Sequence, residues 1–276
     1  MTTPPSDAAP VKLPVIETGA GEPPTVLVPG GLVGWVSWAP HAERLSTTRR
    51  VLRVQLLNVA RGIDRRPLPP GYSVVMEAAA LAATMTDRGA IPADVVAWSY
   101  GAEIALSLAL ADPRRVRTLA LIEPPAAWVL RARRTLNRNT RRVMQRLGSL
   151  GDDVTDEELE MFAREVGFCP PGKSPRQMSA WAEWSRHRLA LRSSRHAIDH
   201  QDDIEAWRHF PRPVLLVKGR GSAPFLHEII DGLAAELPAA EVLTLPGGHA
   251  PLIVAMDAFL AHLLAFQKSV AADASP

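Results

Sequence analysis

The sequence predicts an α/β protein in which a mostly parallel sheet is flanked by helices and interrupted by a helical insertion. Three observations carry this. First, six short runs rich in Val and Leu, each bounded by Gly or Pro, read as buried parallel strands. They are PTVLVPG (24–30), VLRVQLL (51–57), ADVVAWS (93–99), RTLALIE (117–123), PVLLVKG (213–219) and EVLTLPG (241–247), and a further short strand is expected near PVIETG (14–19). Second, helical patterns over roughly 36–47, 72–89, 100–111, 223–236 and 251–267 separate most of these runs. Strands that alternate with helices argue a parallel sheet covered on both faces.

Third, the alternation breaks once. About 90 residues lie between Glu123 and Pro213, and they read as almost entirely helical. TDEE (155–158) has the spacing of a capping box, and SPRQ (174–177) is a second, with Pro175 at the first helical position. A structureless loop of that length is implausible in a compact domain. Residues 126–210 are therefore predicted as a helical cap on a core made of 13–125 and 211–268, with a flexible arm at 1–12 and a flexible tail at 269–276.

The bulk properties narrow the function. A chain of 276 residues accommodates one core plus an insertion. The net charge of +2 is too slight to argue for a nucleic-acid partner. Cys169 is the only cysteine, which leaves no internal disulfide or cysteine metal cluster. The start, MTTPPSDAAPVKLP, lacks the apolar stretch of a secretory signal, and the apolar runs near 103–111 and 250–266 are too short or too interrupted to span a bilayer. A cytoplasmic protein with no membrane partner is the expectation, as a monomer or homodimer.

VVAWSYGAEIALSLAL (95–110) carries the chemistry. Ser99 stands where the strand turns into a helix, at the carboxyl end where open α/β sheets gather their catalytic groups. Ala97-Trp98-Ser99-Tyr100-Gly101 follows the nucleophile-elbow pattern, with alanine for its first glycine. Serine is also a favoured helix cap, so the rest of the chain must decide.

A nucleophilic serine needs a base, and the base an orienting acid. His249, in LPGGHAPL directly after the last strand, is the base expected from the order Ser…acid…His. The loop after the penultimate strand, VKGRGSAPF (217–225), holds no carboxylate, and Ser222 stands about where one would be expected. The acid is read instead as Glu123, which ends the strand next to that of Ser99 and is followed by Pro124 and Pro125. Glu228, one to two turns into the following helix, is the rival. The oxyanion donors are expected to be the N–H groups of Tyr100 and of Gly31 in LVPGGLVGW (27–35), with Leu32 the alternative to Gly31. No H-E-x-x-H occurs, and HAIDH (196–200) spaces two histidines without the glutamate, so neither a metal nor a cofactor is expected.

With these motifs in this order the chain resembles the α/β-hydrolase superfamily over roughly 13–268. The resemblance implies an eight-stranded, mostly parallel sheet, a cap domain over the active site, and cofactor-free acyl chemistry through a serine ester. Pro29 of PGG (29–31) replaces the histidine usual in that loop. An acid placed one strand early is similar to some lipases and to zearalenone lactonases, which points to lactones or bulky esters. A serine at 99 sets aside the relatives that need an aspartate nucleophile.

Seven tryptophans against two tyrosines suggest an aromatic-lined pocket, with Leu32, Trp35, Trp98, Trp128, Trp181 and Trp184 as candidate substrate contacts. The expected substrate is a small-molecule ester or lactone with an apolar or aromatic acyl part. RARRTLNRNTRRVMQR (131–146) holds seven arginines, and GDDVTDEELE (151–160) follows with six carboxylates. Two cap helices exchanging weak surface pairs account for this simply; a basic rim for an anionic substrate or acyl carrier is the sharper reading. A non-hydrolytic tailoring enzyme or a ligand-binding homologue using the same site are the competing functions.

Overall fold

The computed structural model describes residues 11–170 and 172–273. The arm expected at 1–12 lies outside them apart from its last two residues. Among the described residues seven strands form one sheet in the order β1-β3-β2-β4-β5-β6-β7. They are β1 (Val15–Thr18), β2 (Thr25–Val28), β3 (Val51–Val54), β4 (Ala93–Trp98), β5 (Val116–Ile122), β6 (Val214–Gly219) and β7 (Glu241–Leu245). Every pairing is parallel except that of the edge strand β1 with β3. Eight strands were implied by the resemblance. Among the described residues ahead of β2, only Val15–Thr18 pairs into the sheet, so seven strands are seen.

Central β2 and β4 are buried along their whole length, which is why they read as unbroken apolar runs and not as alternation. Helices α1 (Ala39–Leu45), α2 (Leu57–Ile63), α3 (Val74–Asp87) and α4 (Tyr100–Ala111) belong to the first half. Helix α2 was not anticipated. The run at 51–57 looks like one strand, yet it stops at Val54, and a helix starts at Leu57. The orphan N–H groups of Leu57 and Asn58 donate to the carboxylate of Glu77, 3.0 and 2.9 Å away on α3. A distant side chain thus caps this helix, and no local pattern announces it.

Between β5 and β6 lie six short helices: α5 (Trp128–Ala132), α6 (Arg138–Gly148), α7 (Asp156–Glu165), α8 (Trp181–His187), α9 (Ser194–Asp199) and α10 (Ile204–Arg208). At α7 the capping box forms in both directions, through Thr155 and Glu158. At 174–177 only a single 3₁₀ turn forms, because the Ser174 hydroxyl accepts from Arg176 while the Arg176 side chain reaches Glu157 and Glu160 of α7. The insertion rests on the loop after β2: Leu32 joins Leu150, Val154, Leu159, Trp184 and Leu191 in one apolar cluster.

The chain finishes with α11 (Pro224–Glu236), α12 (Pro251–Val254) and α13 (Met256–Asp273). Helix α13 takes in residues 269–273 of the expected tail, and 274–276 lie outside the described residues. Among the described residues no helix is long and apolar enough to cross a membrane.

Candidate active site

Ser99 occupies a tight turn between β4 and α4 with φ 54° and ψ −126°. Such a left-handed conformation costs a non-glycine residue about 1–3 kcal/mol and persists only where the surroundings over-determine it. Its N–H donates to the carbonyl of Ile122 (2.8 Å), tying the turn to β5. Helix α4 then passes so close to the β2 loop that a Cβ at Gly101 would lie 2.2 Å from the Pro29 carbonyl oxygen. Only glycine fits there.

His249 follows β7. Its N–H donates to the carbonyl of Gly167 in the insertion (3.1 Å), and its own carbonyl accepts from Trp98 Nε1 (2.8 Å). Phe168 and Trp98 pack on its ring, with centroids 5.0 and 5.8 Å away. Held so, the imidazole places Nε2 2.8 Å from Ser99 Oγ and Nδ1 2.7 Å from Glu123 Oε2. The other carboxylate oxygen, Oε1, accepts from Gly219 N–H (2.7 Å) and from the Ser222 hydroxyl. Glu123 is fully buried and His249 nearly so, and these donors satisfy a charge that would otherwise be costly to bury. An ionised carboxylate only accepts, so Nδ1 carries the proton and Nε2 is left to accept from Ser99. Glu228 faces elsewhere, accepting from Asn137 Nδ2 (2.8 Å) and Thr140 Oγ1 (2.7 Å).

Half-buried Ser99 opens onto a cavity with about 70 Å³ of free space. Of the sequence candidates, Gly31, Leu32, Trp98 and Tyr100 line it beside Ser99 and His249. Trp35, Trp128, Trp181 and Trp184 do not. Trp35 anchors its N–H on Gln55 Oε1 (3.0 Å), and Trp128 is sealed in the core. Trp181 carries Arg176 over its ring at 5.3 Å, and Trp184 packs behind Phe168. Phenylalanines 162, 168 and 225 supply the aromatic wall instead. Large rings bury wherever packing admits them, so their number in a sequence does not tell which ones face a ligand.

A polar network missed from sequence stands behind the loop after β2. Asn58 Nδ2 donates to the carbonyls of Gly31 (2.9 Å) and Ala190 (3.1 Å) and to Ser193 Oγ (3.0 Å), joining the β2 loop to the insertion. Glu77, besides the N–H groups of Leu57 and Asn58, accepts from the Tyr72 hydroxyl (2.7 Å). With its proton so directed, the Tyr72 oxygen accepts from Tyr100 (3.1 Å). Burial pushes the Glu77 carboxyl up, against the pull of its backbone donors, and both phenols well above their ordinary value. One sequence signal existed: within the helix read at 72–89, Glu77 is the single acid before Asp87, in an otherwise apolar stretch.

One turn beyond Ser99, Glu103 is fully buried and neither of its carboxylate oxygens has a hydrogen-bond partner among the described residues. Burial drives its carboxyl well above the ordinary range, Asp202 adds to this, and Arg131 opposes it. The unfolded chain therefore releases this proton first as pH rises. Stability from this group is full below the ordinary carboxylate range and is lost as pH climbs toward the raised folded value. Glu103→Gln should flatten that decline and raise the melting temperature near neutral pH by about 3 °C, measured by thermal scans across pH.

Residues 25–262 match the alpha/beta hydrolase family, and the chain belongs to it. The curated relatives it matches include hydrolases and an esterase. Over 109 residues it is 34% identical to a 2-hydroxy-6-oxo-2,4-heptadienoate hydrolase of Pseudomonas putida, and the match spans 38% of either chain. It is 23% identical to a pimeloyl-[acyl-carrier protein] methyl ester esterase of Nitrosomonas europaea over 89% of this chain and 96% of that one. A thermophilic esterase from Thermogutta terrifontis shares the fold with a TM-score of 0.69 at 19% identity, covering 94% and 93% of the two chains.

Proposed function

We propose that this protein is a serine hydrolase of carboxylic esters or lactones. The unbroken hydrogen-bonded line Ser99–His249–Glu123, ending at an apolar cavity, is the observation that carries the reading. Ser99 attacks the carbonyl carbon as His249 Nε2 takes its proton. Glu123 holds the Nδ1 tautomer and balances the imidazolium, and His249 returns the proton to the leaving alkoxide. Water then repeats the sequence on the acyl-enzyme. The oxyanion is received by the N–H of Tyr100 and one from the Gly31–Leu32 loop.

The cavity argues for the kind of acyl group. Among the described residues no arginine or lysine lines it, so an acyl part that is neutral near the carbonyl suits it better than the dienoate named for the Pseudomonas putida hydrolase. Its free space of about 70 Å³ is less than half of the roughly 150 Å³ that admits benzene, which favours a slender aliphatic chain over the aromatic one.

A fluorophosphonate probe tests the reading: it should label one serine, mapped to residue 99, and folded protein left unlabelled would overturn it. Asn58 acts through the loop carbonyl it holds, as a positioning residue. Asn58→Ala should lower kcat by about tenfold with KM nearly unchanged, less than the 10²-fold or more for losing an oxyanion donor itself. Affinity for an alkyl boronate, which forms the tetrahedral adduct, should fall in parallel. A purely structural role would lower the melting temperature and leave the ratio of boronate affinity to KM untouched.

A further inference from the structure

The arginines of residues 131–146 are not neutralised by the acidic run that follows. Arg131 donates to the carbonyls of Ile198 (3.0 Å) and His200 (2.6 Å), Arg133 pairs with Glu236, and Arg146 pairs with Glu165 (2.6 Å). Arg134, Arg138, Arg141 and Arg142 have no acidic partner among the described residues. Carboxylates of 151–160 turn instead to Arg176, Arg164 and Arg188, or to the α7 cap. The exchange of pairs between α6 and α7 is thus reduced to Arg146–Glu165, and a basic surface is left over.

Part of that surface is a cavity. About 230 Å³ lies open beside α6 and α9, lined by Arg131, Arg141 and Arg195 against one acid, Asp199. Met144 and Ile198 line both this space and the cavity of Ser99, so the two lie on either side of that pair. Each of the two carries an arginine three positions earlier, Arg141 before Met144 and Arg195 before Ile198, adjacent on the helix surface. Asp199 lies 3.2 Å from Arg195, but exposed pairs of this kind contribute little and leave the cationic excess in place. The inner cavity is too small for a long chain, and an unbranched methionine is the side chain best able to yield to one.

We propose that the outer cavity is a subsite for the anionic end of an ester whose acyl chain starts at Ser99 and passes between Met144 and Ile198. The substrate class is then a half-ester: neutral at the scissile carbonyl, slender and apolar along the chain, and carboxylate or phosphate at the far end. This rests on the serine-hydrolase reading of the site.

The test uses p-nitrophenyl esters of graded chain length ending in a carboxylate, a phosphate or a neutral methyl ester. Beyond the length that clears Met144, the anionic esters should show kcat/KM about fivefold to tenfold above the neutral ones, carried by KM and shrinking with added salt. The carboxylate and phosphate arms tell which terminus is preferred. In the double variant Arg141→Gln/Arg195→Gln the ratio should fall to about one; Arg142→Gln, outside the cavity, should keep it. A wild-type ratio of one at every length, or a ratio that survives the double substitution, overturns the subsite. Calorimetry on Ser99→Ala, comparing a monomethyl alkanedioate with its dimethyl ester, reads the same preference without turnover. Anion preference in binding with no ester hydrolysed would overturn the hydrolase reading alone, and hydrolysis with no anion preference the subsite alone.

Discussion

Ser99→Ala should abolish ester hydrolysis, lowering kcat by about 10⁶-fold, the scale seen when a serine nucleophile is removed from an intact site. The change deletes one oxygen at a half-buried position. The line from Glu123 to His249 does not depend on it, because Glu123 holds the ring while Gly167 and Trp98 hold the main chain of His249. Circular dichroism and melting should therefore stay near wild type, and alanine at a strained left-handed turn should cost no more than serine did. Residual turnover close to wild type would mean that His249 activates water directly and that no acyl-enzyme forms. Trapping with an isotopically labelled ester separates the cases, since the wild type should accumulate an acyl adduct at residue 99.

Replacing Glu123 by glutamine should cost about 10⁴-fold in kcat, the loss recorded when a triad acid becomes its amide. Glutamine keeps one oxygen to accept from Gly219 and Ser222, so the fold of the loop is preserved. What changes is the group that meets Nδ1. An NH₂ there is a donor, which forces the imidazole proton onto Nε2, where it faces Ser99 as a donor and can no longer accept the hydroxyl proton. Glu228→Gln is the matched control: it touches Asn137 and Thr140 and should leave kcat within about twofold, as for surface changes away from a site. If Glu228→Gln were the damaging change, the assignment of the acid would be reversed.

The empty place in the loop after β6 shows how far local reading reaches. A serine at 222, where an acid is expected, makes that loop look defective in sequence. In the structure Ser222 donates to the carboxylate that arrives from the neighbouring strand, so its hydroxyl and Glu123 form one unit across two loops. The candidate acid was legible because a charged residue at the end of an apolar strand stands out against period and burial. Its supporting serine was not, since a lone hydroxyl in a glycine-rich turn has many uses.

Asn58 and Glu77 mark the limit from the other side. Their partners lie on the β2 loop, in the insertion, and at the start of α2, far apart along the chain. Periodicity reports whether a residue faces the core, not which group it meets there. The same holds for the tryptophans, whose number was plain in the composition and whose faces were set by tertiary packing.

The sequence by itself determined the parallel sheet, the helical insertion, and the ends of the strands where a serine, a glutamate and a histidine stand. Those are matters of periodicity and turn chemistry, which act over a few residues. Only the tertiary structure decided where α2 begins, which rings line the cavity, what holds the β2 loop, and that Arg131, Arg141 and Arg195, from three helices, border a space next to the site. Each depends on groups far apart in sequence meeting within hydrogen-bond or packing distance, and burial of unpartnered polar groups is what makes those meetings obligatory.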